Sequence, residues 1–500
     1  MRSIVSVSDK DGLVEFFGGI MPRISELYAS SGTQKFLLGS GIPAKNVSEL
    51  TGYESLLHGR VKTLHPAVFA GILSPRDKVS NAQMQEFRFK EFDLVVSNLY
   101  PFDQFAHGDD VGEMVENIDI GGVSLIRAAA KNFKFVTVLV DRRDYPSVMK
   151  EISDSGNASE ETRKRLAVKA FSTTARYDAL ITESLNRVLI GKHVPAIPDL
   201  SGAVELRYGE NPDQFAIMVP DGSAKGIPGA FKMSGKELSY NNIVDADAAM
   251  ETVLEFANPA TVIVKHGTPC GASEASTLKD SYLHALAGDT ESAYGSVIAM
   301  NRNVDDETAE ELLDLFIEVL VAPGYDESSF NTLRKKKKNL RILKARMEPD
   351  TSMRIRSISH GILSQSPTSS AFTNLAHAAG PDATETQMRN MLFAWKVVSH
   401  CRSNAIVLAN GTSTVGICAG QTSRVEALRI AARKAESRVK GSAMASDGYL
   451  PFSDSVTIAA ESGISAIIQP GGSIRDPEVI AKANDLSIPM YFTGKRVFLH

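Results

Sequence analysis

A lysine–histidine pair, Lys265–His266, directly follows the apolar run 261–264 and is the sharpest chemical motif in the chain. Ionisable side chains at the end of a buried strand lose solvation, so this placement favours a functional role. An imidazole that titrates near neutral pH can act as a general base, and an ammonium can stabilise an oxyanion. The alternative is a histidine that only packs at the end of a strand.

A second cluster lies in residues 59–66, where Arg60, Lys62 and Thr63 crowd a loop bounded by glycine and proline. These side chains suit an anion such as a phosphate, with a lysine close to a reacting oxygen. A basic surface loop without a ligand explains this motif alone equally well.

Asp119 stands just before two glycines, Gly121 and Gly122, that begin a predicted helix. Glycines at such a position let backbone N–H groups approach an anion. Lys131 lies near the end of the same helix, where a simple interaction with the helix dipole is the alternative to a functional role. Ser8, Lys10 and Tyr100 come after predicted strands, and residues 30–33 add further polar groups to the same expected edge.

Arg207 and Tyr208 open a turn-rich stretch, residues 206–214, that suits recognition of a polar planar ligand. A capped turn is the alternative interpretation. Other polar or glycine-rich clusters flank predicted strands at 403–404, 418–424, 446–452, 469–473 and 496–500. Together these clusters predict a large polar cleft that binds anions.

Alternating strands and helices must position the clusters. Strands are predicted over 3–7, 35–38, 93–99 and 135–140, with helical patterns between them, which indicates a parallel α/β sheet. Open sheets of this kind bind ligands at the carboxyl ends of their strands. Residues 162–189 predict one or two helices, and the proline-containing stretch 191–202 favours a domain boundary over an internal loop.

The alternation resumes after the boundary. Strands are predicted over 261–264, 297–300, 405–408, 415–418, 466–468 and 490–492, and helices over 309–321, 385–398, 424–435 and 477–484. This region is either one large domain or two similar α/β halves. No internal repeat is evident in the sequence, so a duplication would have to be structural.

Composition excludes several classes of protein. The chain has 500 residues and a net charge of -5, without the basic excess of a nucleic-acid coat, and the basic run 334–338 is interpreted as solvated surface. Three cysteines are too few for a disulfide framework and fit a reducing cytoplasm. The zinc-deaminase signatures H-x-E and P-C-x-x-C are absent around His266 and Cys270, so zinc is rejected. Neither a signal peptide nor a membrane span is predicted.

The motifs taken together resemble a known family, the bifunctional AICAR transformylase/IMP cyclohydrolases of de novo purine synthesis. The resemblance covers essentially the whole chain in the family's order. It is carried by RVKTLHP, NLYPF, IDIGG, RAAAKN, RYGENP, GKELSYNN, KHGTPCG, SNAIVLA, AGQTSRV and IIQPGGSIRD.

The resemblance implies an α/β fold of two parts. Residues 1–198 would form a Rossmann-like domain similar to methylglyoxal synthase that carries the cyclohydrolase, with a helical extension and linker from about 160. Residues 199–500 would form the transformylase from two cytidine-deaminase-like α/β units without zinc. The family pattern also implies a cytoplasmic homodimer whose transformylase sites take residues from both subunits.

The implied ligands are AICAR, formyl-AICAR, IMP and folate, with 10-formyltetrahydrofolate as cosubstrate. No catalytic metal, nucleic acid or membrane is implied, and the pattern leaves room for a monovalent cation. The formyl group would pass from the folate to the AICAR amine, and formyl-AICAR would then close to IMP with loss of water.

The resemblance carries roles onto matching positions of this chain. In the cyclohydrolase site the catalytic residues would be Lys62, Tyr100, Asp119 and Lys131, and the substrate-binding residues Ser8, Lys10, Arg60 and Thr63. In the transformylase site the catalytic pair would be Lys265 and His266, with substrate bound by Arg207, Tyr208, Asn242, Asn404, Phe452, Arg496, Phe498 and His500.

The chain departs from the family pattern at a few positions. Asp213 stands where histidine is usual, Thr268 where asparagine is usual, and the Ser-Thr-Gly-Gly-Thr motif is one residue shorter here. Asp213 puts a negative charge near anionic substrates. Two alternatives are a cyclohydrolase with an altered transformylase domain and a non-catalytic nucleotide-binding protein on the same fold. The retained set Lys62, Asp119, Lys131, Lys265 and His266 argues against the second.

Overall fold

The computed structural model describes residues 1–54, 56–57, 60–191, 203–221 and 223–500. The chain forms two compact units, Met1–Gly202 and Ala203–His500. The predicted boundary stretch 191–202 lies outside the described residues from 192 onward, as does Gly59 of the basic loop.

The first unit contains five strands and nine α-helices among its described residues. The strands are β1 (Arg2–Ser6), β2 (Glu26–Ala29), β3 (Lys45–Asn46), β4 (Leu94–Ser97) and β5 (Thr137–Leu139). The helices are α1 (Leu13–Ile20), α2 (Ser31–Gly39), α3 (Ser48–Thr51), α4 (Pro66–Leu73), α5 (Lys78–Glu86), α6 (Val111–Glu116), α7 (Gly121–Lys131), α8 (Tyr145–Ser155) and α9 (Glu160–Leu185).

The five strands pair in parallel in the order β3–β2–β1–β4–β5. Their central members are short apolar runs, such as Ile4–Val5 and Val95–Val96, that are fully buried, as expected of a sheet with helices on both faces. Because all the strands run the same way, their carboxyl ends meet at one edge. The predicted parallel α/β sheet is therefore confirmed.

Two predicted elements were wrong. Residues 35–38 lie in helix α2, not in a strand. Their short apolar run carries no period that separates helix from strand, and strand β2 just before it already fills that place in the sheet. The predicted helix over 309–321 is instead the end of helix Asp306–Glu311 followed by strand Ile317–Ala322, because β-branched residues alternate in that strand, which is buried except at Glu318.

The second unit is built on strands β6 (Val204–Leu206), β7 (Ala216–Met218), β8 (Phe231–Ser234), β9 (Ala260–Lys265), β10 (Thr268–Glu274), β11 (Ser296–Met300), β12 (Ile317–Ala322), β13 (Arg341–Lys344), β14 (Arg354–Ile358), β15 (Gly361–Gln365), β16 (Ala376–Ala379), β17 (Ile406–Asn410), β18 (Ser413–Cys418), β19 (Ala443–Ser446), β20 (Ala466–Gln469) and β21 (Met490–Phe492). Its helices are α10 (Tyr240–Val253), α11 (Leu278–Gly288), α12 (Asp306–Glu311), α13 (Glu327–Lys336), α14 (Glu385–Val398), α15 (Arg424–Ala435), α16 (Asp454–Ser462) and α17 (Asp476–Asp485).

Twelve of these strands form one sheet in the order β16–β21–β20–β19–β17–β18–β10–β9–β11–β12–β13–β8. The sheet consists of two halves in which strands and helices follow in the same order. A strand and a capped helix (β8 and α10, or β16 and α14) lead into a hairpin, which is followed by three helix–strand units. The halves join where β10 runs antiparallel to β18.

The duplication extends to single residues. In each hairpin a glycine four residues into the second strand, Gly271 or Gly416, faces a helix carbonyl so closely that a Cβ would lie 2.1 or 2.2 Å from it. The carbonyls belong to Ala285 of α11 and Ala431 of α15, the eighth residue of each helix. The two similar α/β units are therefore confirmed, although no repeat is evident in the sequence.

Helices cover both faces of the long sheet. Val262 and Val264 pack in the core beneath α10 and α14, whereas Ile263 between them packs on the opposite face with Leu278 of α11. The alternation of strand side chains thus fills two cores from one apolar run.

Candidate active sites

In the first unit, Asn98 ties together the ends of β1 and β4. Its side-chain oxygen accepts the backbone N–H groups of Ser8 at 2.6 Å and Asp9 at 3.1 Å, and its amide donates to the Asp9 carbonyl at 2.7 Å. Lys10 donates to the Ser8 carbonyl at 3.2 Å. Two predicted substrate-binding residues, Ser8 and Lys10, therefore lie beside the loop that carries Tyr100.

Asp119 lies two residues before helix α7, and its side chain bonds to the first turn of that helix. Its side chain accepts the backbone N–H of Gly122 at 2.7 Å. Its own backbone N–H donates to the hydroxyl of Tyr177 at 2.8 Å, and that hydroxyl donates to the Asn117 carbonyl at 3.2 Å. Helix α9, which is not part of the sheet, thereby helps to fix the position of the Asp119 carboxylate through Tyr177.

Electrostatics connect three of the predicted catalytic groups. Burial raises the pKa of Asp119, and the N–H groups of Gly122 and Tyr100 and the charge of Lys62 oppose that rise. Burial and then the charge of Asp119 raise the pKa of the Tyr100 phenol. A carboxyl with a raised pKa is better matched to proton transfer near neutral pH than an ordinary one.

The other predicted residues of this unit lie at different distances from Asp119. Thr63 is next to the start of α7, since its Oγ1 lies 3.1 Å from where a Cβ on Gly121 would be. Arg60 forms an exposed ion pair of 2.5 Å with Glu116. Lys131 is exposed at the far end of α7, about 15 Å along the axis from Gly121 at 1.5 Å per residue. The structure thus brings Lys62, Tyr100 and Asp119 together, while the predicted role of Lys131 in the same site stays a prediction.

In the second unit, the β9–β10 turn presents Lys265 and His266. Lys265 pairs with Thr268, so the turn consists of His266 and Gly267, whose φ angles are 54° and 69°. Positive φ at both central residues matches the twist of a two-residue hairpin. The Lys265 ammonium donates to the carbonyls of Tyr294 at 2.5 Å and Gly295 at 3.2 Å. Asp245 accepts the N–H of Gly267 at 2.5 Å.

Asn242 and the Arg207 turn lie near the start of α10. Asn242 completes a capping box with Ser239, and its amide donates to Glu318 at 2.8 Å. Arg207 is exposed and stacks over the ring of Tyr208 at 5.2 Å. Asn242 is buried, so its first role is to fix the helix and the β12 carboxylate.

The remaining predicted residues form a second cluster around β17. The C-terminal segment runs beside them, because Leu499 accepts the Ser403 N–H at 2.8 Å and Asp447 accepts the Val497 N–H at 3.1 Å through their carbonyls. Other contacts are Asn404 to the Gln421 carbonyl at 2.9 Å, Arg496 over Phe498 at 4.5 Å, Phe498 with His500 at 5.9 Å, and Arg475 over Phe452 at 4.6 Å.

Strand directions put both clusters at the same edge of the long sheet. Two strands, β10 and β18, separate β9 from β17, which is about 14 Å at the usual strand spacing. His266 and Asn404 therefore share an edge within one chain, on strands that are not neighbours.

Comparison with known proteins decides the family. The profile of the AICARFT/IMPCHase bienzyme matches residues 129–434, and that of the MGS-like domain matches residues 12–124. The chain belongs to the AICARFT/IMPCHase bienzyme family. Proteins named "Bifunctional purine biosynthesis protein PurH" are 44% identical to this chain in Persephonella marina and in Halalkalibacterium halodurans, each over 100% of this chain and 99% of the relative. A solved structure named "Crystal structure of ForH" is 33% identical, covers 38% of this chain and 98% of its own, and has a TM-score of 0.36.

Membership in the bienzyme family confirms the resemblance drawn from the motifs, and with it the bifunctional enzyme of purine biosynthesis. In the part of the bienzyme that the structure describes, no group of three or more His, Cys, Asp or Glu side chains is arranged to hold a metal ion. Within the same residues, no helix is long and apolar enough to cross a membrane.

Sequence reasoning missed two residues of these sites. Tyr177 lies in the middle of α9, where its spacing indicates only a packed helix face. Asp245 sits three residues after Asn242 on the helix that precedes the Lys265–His266 strand, a position typical of an ordinary polar helix residue. Both act on the backbone of a neighbouring segment, and a contact of that kind leaves no sequence signal.

Proposed function

We propose that Met1–Gly202 carries the cyclohydrolase reaction of this bienzyme and Ala203–His500 the formyl transfer. The observation that carries the assignment is the separation of the two groups of residues. Lys62, Tyr100 and Asp119 meet at the carboxyl edge of the first sheet, and Lys265 and His266 sit on a turn of the second. The match of residues 12–124 to an MGS-like domain supports the division.

In the proposed formyl transfer, the amine of AICAR attacks the formyl carbon of 10-formyltetrahydrofolate. That amine is a weak nucleophile, because its lone pair delocalises into the ring and the carboxamide. His266 takes the amine proton as the C–N bond forms, and Lys265 stabilises the oxyanion and then protonates the departing folate nitrogen. The backbone carbonyls of Tyr294 and Gly295 hold the ammonium of Lys265 beside the turn.

In the proposed cyclisation, the carboxamide nitrogen of formyl-AICAR attacks the neighbouring formyl carbon, and water leaves. The reacting groups are already in one molecule, so the enzyme mainly supplies orientation and charge stabilisation. Lys62 stabilises the oxyanion, while Asp119 and Tyr100 move protons. The N–H groups at the start of α7 and the loops that carry Ser8 and Thr63 bind the rest of the substrate.

A homodimer fits the second unit. The hairpin β14–β15 pairs with no other strand among the described residues, and it exposes four apolar side chains, Ile355, Ile358, Ile362 and Leu363. A lone two-stranded hairpin is marginal in water, so a second copy of the chain is the proposed cover. The two clusters on β9–β10 and β17–β21 would then complete sites between subunits, as the family pattern implies.

A monovalent cation fits beside the second cluster. Asp447 is fully buried, and one carboxylate oxygen accepts from Arg424 at 2.8 Å while its Oδ2 has no hydrogen-bond partner in the described structure. The hydroxyl of Ser403 is also buried without such a partner. Oxygen ligands suit a hard cation, so the Asp447 carboxylate is the proposed ligand. Exchanging potassium for choline in the assay buffer tests this.

The three cysteines are free and buried, which suits a proposed cytoplasmic location. Assays of the purified full chain test the whole assignment. AICAR with 10-formyltetrahydrofolate reports both reactions in sequence, and formyl-AICAR alone reports only the cyclisation. IMP formed from formyl-AICAR without any formyl transfer would favour a cyclohydrolase with an altered second unit.

A further inference from the structure

The two hairpins of the duplicated sheet are held by similar contacts, made one turn position apart. In each half the sixth residue of the preceding helix accepts the backbone N–H of a glycine in the hairpin turn. In the first half Asp245 of α10 accepts from Gly267 at 2.5 Å, and in the second half Asn390 of α14 accepts from Gly411 at 3.0 Å. The turns are alike as well, since His266, Gly267, Gly411 and Thr412 all have φ between 54° and 69°.

An amide is therefore sufficient to hold a turn of this shape. Asn390 does so while it is almost completely buried, and its amide group also lies 3.4 Å from the side-chain oxygen of Asn410. A contact to one turn N–H therefore does not by itself require the carboxylate found in the other half. The difference between Asp245 and Asn390 is one negative charge.

The negative charge of Asp245 lies in the half of the sheet that carries Lys265 and His266. The residues that correspond to Lys265 and His266 in the second half are Asn410 and Gly411, which cannot ionise near neutral pH. Burial raises the pKa of Asp245, and the N–H groups of Gly267 and His266 and the charges of His266 and Lys265 oppose that rise. The carboxylate thus lies within electrostatic reach of both ionisable groups of the turn.

We infer that Asp245 is a positioning residue for formyl transfer: it holds the His266 turn in place, and its negative charge stabilises the imidazolium that forms when His266 takes the amine proton. This inference rests on the proposed role of His266 as the base. Asp245 contacts the backbone of the turn, so its effect on the reaction passes through His266. The charge matters in the transition state more than in AICAR binding.

Asp245→Asn removes the charge and keeps an amide oxygen that can still accept the Gly267 N–H, as the Asn390 amide oxygen accepts the Gly411 N–H in the second half. We expect the kcat of formyl transfer to fall roughly 10-fold, the effect of about one pKa unit on the developing imidazolium. The KM for AICAR and the melting temperature should change little, and cyclisation of formyl-AICAR by the same preparation should be unchanged. The matched control is Asn390→Asp, which should lower the melting temperature by burying a charge and leave kcat unchanged.

Three outcomes overturn the inference. A wild-type kcat in Asp245→Asn would make the residue a plain turn anchor. Failure of that variant to fold would show that an amide cannot replace the carboxylate here, so the comparison with Asn390 would no longer hold. An equal fall in kcat in Asn390→Asp would indicate a general effect on the sheet. His266→Ala, measured with these variants, distinguishes failure of this inference from failure of the proposed function. Near-normal formyl transfer in that variant would contradict the role of His266 as the base.

Discussion

Asp119 and Tyr177 are joined by a hydrogen bond of 2.8 Å from the backbone N–H of the aspartate to the hydroxyl of the tyrosine. The hydroxyl in turn donates a hydrogen bond of 3.2 Å to the Asn117 carbonyl. Burial together with the charge of Asp119 raises the pKa of Tyr177 to about 12. The phenol therefore stays protonated and acts as a fixed bridge. The long helix α9 outside the sheet is in this way part of the proposed cyclohydrolase site.

Tyr177→Phe removes the bridge and leaves an N–H and a carbonyl without their partner. We expect an unfolding free energy lower by about 1–3 kcal/mol, the usual cost of such unpaired groups. Cyclisation should slow by roughly 10-fold because Asp119 loses its fixed position. Stopped assays with formyl-AICAR and thermal melts of the same preparation measure both effects. Formyl transfer by this variant serves as the internal control, and an equal loss there would indicate general damage.

Asp119→Asn separates the charge of this carboxyl from its capping bond, because the amide oxygen can still accept the Gly122 N–H. Cyclisation should fall by about 100-fold or more, since a positioned proton-transfer group is lost. A raised pKa means that the folded chain binds the proton more tightly than the unfolded chain, so the stabilisation is complete at low pH and is lost as pH rises.

That linkage also gives the sign of the stability change. At pH 7 the raised pKa of Asp119 lowers the stability of the folded chain relative to a neutral side chain, so Asp119→Asn should melt at a higher temperature than the wild type. The difference should shrink as the pH approaches the ordinary carboxyl pKa of about 3.9. A variant that melts lower than the wild type at pH 7 would contradict the assignment of burial as the dominant cause.

Much of this architecture can be predicted from the sequence. The apolar runs that become β4 and β9 and the capped periodic segments of α14 and α15 are local signals, and the motifs led to the family. The helix α2 and the strand β12 could not be predicted, because a short apolar run adopts the state that its neighbours allow. Asp245 and Asn390 occupy the same position in their helices, and this equivalence is visible only when the two halves of the sheet are compared in the structure.

Lys62→Ala tests the oxyanion role in cyclisation. Loss of one such donor typically costs about 100- to 1,000-fold in turnover, and formyl transfer should be intact because its residues belong to the other unit. Lys164→Ala is the matched control, since Lys164 is an exposed lysine of α9 that pairs with Glu160 one helical turn away. Parallel losses of both activities in Lys62→Ala would point to misfolding and not to catalysis.

The most direct measurement of the central claim is single-turnover formyl transfer by His266→Ala, with its melting temperature taken on the same preparation. We predict transfer slower by roughly 100- to 10,000-fold, unchanged cyclisation of formyl-AICAR and little change in melting temperature. His284→Ala, at an exposed histidine of α11, should match the wild type in every assay. Near-wild-type transfer by folded His266→Ala would contradict the role of His266 as the base of formyl transfer.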